Sequence, residues 1–127
     1  MNERIVKSIF LMDIQGRILN VICDDFNLYS NIVDENFLTI VDEDSKTKFL
    51  KFLISVSSNN AEIFWDINFN LYGKIEKYYL TGAKVKEDTM VLVTQDVKLD
   101  GIYDDLIKIN NEQINYFRNV LKKIFRG

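Results

Sequence analysis

No histidine occurs among the 127 residues. That excludes imidazole metal ligation, a histidine-based catalytic triad, axial haem ligation by histidine and a phospho-accepting histidine. Proline is absent too, so helix ends must be marked by other residues. The single cysteine, Cys23, cannot close an internal disulfide, and we expect a reducing cytoplasm. No apolar run reaches transmembrane length, and the opening MNERIVKSIF is too short and too mixed for a signal peptide, so no membrane insertion is expected. Positive charge is not in excess: the net charge of -3 argues against a protein that tracks nucleic-acid phosphates. There is neither a nucleophile-elbow motif nor a phosphate-cradling glycine-rich loop, and we expect no enzyme.

What remains is an ordinary mixture, 47% hydrophobic and 28% charged, long enough for one domain with a buried core. The stretch FLMDIQGRILNV, residues 10–21, carries apolar runs on both sides of a short polar break. Strand side chains alternate between faces, so Ile9 and Leu11 lie on one face and Phe10 and Met12 on the other. Both faces need a cover. Residues 7–14 and 17–23 are predicted to form a hairpin about Gln15-Gly16, with Asp13 set to pair with Arg17 or another base. After punctuated short pieces from Asp24 to Glu43, a helix is predicted from about Asp42, with Phe49, Phe52, Leu53 and Val56 on one face. The acids Asp42, Glu43 and Asp44 suit a helix start better than a cation site, and Ser57-Ser58-Asn59-Asn60 ends the helix.

AEIFWDINFNLY alternates cleanly, with Ile63, Trp65, Ile67, Phe69 and Leu71 on one face. Strands follow at KIEKYYLTGAKV and from Thr89 to Thr94, the last apolar on both faces and therefore central. From Ile102 to Phe125 the period is helical, and a continuous helix there would run roughly 36 Å. Ile107, Ile114 and Leu121 are seven apart, interleaved with Asn110, Phe117 and Ile124, a heptad seam suited to pairing two copies. Arg118, Lys122, Lys123 and Arg126 complement the dipole at the helix end. The predicted fold is α+β: a five-stranded antiparallel sheet with helices on one face and a long C-terminal helix.

This order and these words resemble the PAS domain family over roughly residues 5 to 125. FLMDIQGRILNV is similar to that family's opening hairpin, an apolar strand ending in Asp, a Gly-Arg turn and a second apolar strand. LTIVDEDSKTKFLKFL resembles the approach to its main helix, with Glu43-Asp44 as the acidic pair. The departures are Ile22 where Asn is common, and Val41-Asp42 where His-Pro is common. Cys23 lies outside the segment of the flavin-adduct cysteine, and the haem histidine is missing, so haem and a flavin adduct are disfavoured. The resemblance implies a sensory domain over 1–97 and a linker or coiled-coil helix over 98–127. It further implies coupling to a histidine kinase, a cyclic-dinucleotide enzyme or a phosphatase, as an output domain of the same protein or a separate partner.

Two sites are expected. Phe49, Phe52, Leu53 and Val56 facing Ile63, Trp65, Ile67 and Phe69 form either a filled core or an apolar cavity for a fatty or aromatic ligand. Ile107, Asn110, Ile114, Phe117, Leu121 and Ile124 form a homodimer seam, or the helix folds back as the cover of the sheet's second face; its first turns can cover the sheet while its later ones pair two copies. Cys23, beside Asp24 and Asp25, has no adjacent cation to activate it and reads as an inert buried thiol. A ligand-free dimerisation or protein-interaction module of the same fold is the alternative.

Overall fold

A computed structural model describes residues 5–26, 32–109, 114–115, 117–119 and 122. The strands are β1 (Val6–Met12), β2 (Ile18–Asp24), β3 (Ala61–Leu71), β4 (Lys74–Val85) and β5 (Asp88–Thr94). They form one antiparallel sheet in the order β2-β1-β5-β4-β3. Two short 3-10 turns, Phe37–Ile40 and Glu43–Ser45, lead into α1 (Lys46–Asn59), and α2 (Leu99–Lys108) follows β5.

The apolar strands at β1 and β5 have two covers. Phe10, Met12, Val91 and Val93 enter an inner layer closed by Phe37, Ile40 and the buried face of α1. Val6, Ile9, Met90 and Leu92 enter an outer layer closed by Ile102 and Leu106 of α2 and by Ile114 and Phe117 beyond it. Adjacent residues on a strand point to opposite sides, so each central strand needs apolar side chains at successive positions. Helical structure therefore covers both faces, α1 and the short turns on the inner one and the terminal segment on the outer one.

The β1–β2 turn is bound into the inner layer. Gly16 has φ +89°, and a Cβ there would come within 3.1 Å of Asn36 Oδ1 and 3.3 Å of Phe49 Cε2. Asp13 meets Arg17 through the main chain: Asp13 Oδ1 accepts the Gln15 and Arg17 N–H groups at 2.9 and 3.0 Å. The Arg17 guanidinium instead pairs with Asp34 at 2.8 Å. Asn36 ties the turn down by donating to the Gln15 carbonyl and accepting from the Leu38 N–H, both at 2.9 Å.

At the start of α1, Glu43 pairs with Lys46 at 3.1 Å, while the Ser45 hydroxyl accepts from the Asn68 N–H of β3 at 3.1 Å. The helix ends at Asn60 in the left-handed conformation, φ +72°, with its N–H donated to the Val56 carbonyl. Asparagine tolerates that conformation better than most residues.

The long C-terminal helix is a correction. α2 stops at Lys108, and Ile109 is extended (φ -91°, ψ 113°). The helical residues beyond it bring Ile114 and Phe117, both fully buried, onto the outer face of the sheet. Arg118 donates to the carbonyls of Leu106 and Ile109 at the C-terminal end of α2, and to Asn115 Oδ1 at 2.7 Å. Burying each large apolar side chain is worth about 1.5–3 kcal/mol, against about 1 kcal/mol for a helical hydrogen bond. Covering the sheet therefore outweighs continuing the helix. On the same side, buried Asp105 accepts the Val6 N–H at 2.9 Å and locks α2 to the start of β1.

Candidate ligand-binding core

The inner layer is a connected set of rings. Phe37 stacks on Phe49 at 4.9 Å between centroids and meets Phe10 at 5.2 Å and Phe69 at 5.5 Å edge-on. Phe49 continues to Phe52 at 6.4 Å, and Phe52 to Trp65 at 5.6 Å. Toward the β3–β4 turn, Phe69 meets Tyr78 at 5.1 Å, and Phe26 packs edge-on against Tyr78 at 5.0 Å. Edge-to-face and offset pairs of this kind contribute about 0.5–1.5 kcal/mol beyond area burial.

Of the residues expected to line a cavity, Phe49, Phe52, Leu53, Val56, Ile67 and Phe69 are fully buried in this layer. Trp65 packs on it half-buried. Ile63 is not brought together with them. A bulge in β3 sets Glu62 opposite Gly82 but Trp65 opposite Leu80, with Phe64 at φ +57° between. The extra residue resets the two-residue period, so Glu62 comes to the α1 side, where its carboxylate accepts from Asn59 at 2.9 Å. Ile63 leaves the row, half-buried, and Phe64 joins the outer layer. The Phe64 N–H is taken up by Thr81 Oγ1 at 3.2 Å.

Sequence reasoning missed Phe37, Phe10, Phe26 and Tyr78. The only signal for Phe37 was an isolated aromatic residue after Asn36 in the punctuated segment, with no period to place it.

One polar group sits at the rim of the rings. The partly buried hydroxyl of Tyr78 donates to Glu76 Oε2 at 2.6 Å, and Lys74 pairs with the same carboxylate at 2.8 Å. Lys74, then Tyr78, lowers the Glu76 pKa through hydrogen bonding. Burial, then the carboxylate, pushes Tyr78 up to about 12. In the unfolded chain tyrosine ionises near 10, so the unfolded state gives up this proton first. The stability contributed by Tyr78 is complete below pH 10 and is lost as pH rises toward 12. The melting temperature of the native chain should fall more steeply across that interval than that of Tyr78→Phe, and the variant should lack a phenolate absorbance that appears near pH 12. Identical profiles would remove the Tyr78–Glu76 bond from the account.

The acids of residues 42–44 do not gather: among the described residues, no group of three or more His, Cys, Asp or Glu side chains is placed to hold a metal. Cys23 is half-buried at the rim of the outer layer. Among the described residues no helix is long and apolar enough to cross a membrane.

The seam residues divide. Ile114 and Phe117 are buried against this chain's own sheet, Ile107 is 55% exposed, and Asn110, Leu121 and Ile124 lie outside the described residues. No protein-family model matches the chain, and neither does any curated protein.

Proposed function

We propose that this chain is a PAS-like sensory or regulatory module of a cytoplasmic signal-transduction protein, one that binds rather than catalyses. A small apolar ligand or a partner acts on the inner layer. The effect crosses the sheet to the C-terminal segment, which dimerises and addresses an output domain of the kinase or cyclic-dinucleotide type. The observation that carries this reading is the alternation on the central strand: Val91 and Val93 lie in the inner layer, and Met90 and Leu92 lie in the outer. A side chain that shifts among the rings moves the same backbone that supports Ile114 and Phe117, because close-packed interiors pass on small displacements. The element order supports it as well: two strands, short turns, one main helix and three strands.

The ring contacts themselves favour a second reading, a closed core serving a ligand-free dimerisation module. Native mass spectrometry of the purified chain, followed by thermal scans with fatty acids and aromatic acids, separates the two. A retained ligand, or one that at a hundred times its Kd adds about 2.7 kcal/mol, supports the sensor. No retained mass and no stabilisation by any probe leaves the closed module.

A further inference from the structure

The terminal segment is held by bonds that another arrangement can replace. Arg118 donates from Nε to the Leu106 carbonyl at 3.0 Å and from Nη2 to the carbonyls of Leu106 and Ile109. In a continued α-helix, those carbonyls would accept main-chain N–H groups four residues on. The guanidinium stands in for helix continuation, so the carbonyls are satisfied either way.

The seven-residue spacing is not absorbed by the folded-back form. Residues seven apart share a helical face, yet Ile107 is 55% exposed while Ile114 is fully buried. A continuous helix would align them. It would also lift Ile114 and Phe117 off this chain's sheet and uncover Ile9, Met90 and Leu92 of the outer layer.

We propose that the outer face of the sheet is a docking surface for the terminal segment of a second copy of this chain. The exchange is made at Ile109, where Arg118's bonds are traded for helical main-chain bonds. This deepens the reading of that segment as the dimerising element, and rests on it. The occupant follows from the chemistry in view. The face already takes Ile114 and Phe117 from its own chain, and an identical chain offers the same side chains at the same spacing. Swapping an identical element needs no new interface to be built. The two arrangements bury the same sheet face. They differ in Arg118's charge-assisted bonds, which favour the single chain, in Ile107, which gains a neighbour in the pair, and in the entropy of association. Concentration and Arg118 therefore set the balance.

The test compares the 127-residue chain with Arg118→Ala and Arg118→Lys by sedimentation velocity over a hundredfold range of concentration. Nitroxide labels replace the exposed Lys108 and Lys122 in a Cys23→Ser background. Loss of the guanidinium should tighten dimerisation about tenfold, and the lysine variant, keeping the charge but fewer donors, should shift less in the same direction. Within each chain of the dimer the labels should separate to about 21 Å, the span of fourteen helical residues. In the monomer they should read shorter, because Arg118 lies against Leu106 and Ile109. Monomers throughout, a dimer weakened by Arg118→Ala, or a dimer whose label separation is unchanged would each overturn the exchange. An apolar ligand detected by native mass spectrometry in a chain that stays monomeric would leave the sensor reading standing without it.

Discussion

Phe37→Ala should lower stability by about 3–5 kcal/mol, the range for deleting a buried phenylalanine ring. Phe37 is fully buried and lies in ring contact with Phe10 of β1, Phe49 of α1 and Phe69 of β3. Its loss opens a cavity where the 3-10 turn, the helix and two strands meet. None of those neighbours can collapse into it freely: Phe49 is stacked onward against Phe52, and Phe69 is engaged with Tyr78. A domain of this size has about 5–15 kcal/mol in all, so the variant should melt on the order of 10–20 °C lower. Phe37→Leu, which refills most of the volume, should recover the larger part. Denaturant unfolding of the two variants decides the matter, and an alanine variant within about 1 kcal/mol of the native chain would remove Phe37 from the centre of the core.

Gly82→Ala is expected to destabilise by about 1–3 kcal/mol through overpacking, although the same change on an open strand would be favourable. A Cβ at position 82 would lie 2.7 Å from Val56 Cγ2 and 2.8 Å from Phe52 Cζ. Both side chains are fully buried on the face of α1 that rides on β4. Neither can turn away into solvent, so either the helix lifts or a ring leaves its rotamer. The position tolerates an L residue in its backbone angles; space alone sets the sign. Adding Val56→Ala makes room, so the double variant should lose less than the sum of the single losses by at least about 0.5 kcal/mol. Strict additivity would show that the helix does not press on the strand at this point.

Much of this arrangement was legible from periodicity. The helical spacing of Phe49, Phe52, Leu53 and Val56 marked the buried face of α1, and the alternation of Trp65, Ile67 and Phe69 marked the inner face of β3. The two-sided apolar run from Thr89 to Thr94 placed β5 at the middle of the sheet. Such patterns are readable because local geometry alone determines which side chains share a side. Ile63 escaped the pattern because a bulge is a relation between two strands: Glu62 opposes Gly82 and Trp65 opposes Leu80, and neither partner is visible from β3 alone. Phe37 escaped because a 3-10 turn of four residues is too short to carry a period.

The C-terminal segment separates the two kinds of information most sharply. Residues 102–125 contain a helical period with no Gly or Pro to interrupt it, and the one local signal against a single rod is Asn110-Asn111, a pair of poor helix formers. What ends α2 at Lys108 is remote in sequence: an uncovered apolar face on β1, β4 and β5 that Ile114 and Phe117 can close, and an arginine ten residues on that satisfies the helix end. By itself the sequence determined the elements, their faces and the need for two covers, since each follows from the spacing of apolar residues along one chain. That the terminal segment closes this chain's own sheet, through Ile114 and Phe117, and that the helix breaks after Lys108, came from the tertiary structure alone, because those outcomes weigh burial between distant segments against hydrogen bonds within one.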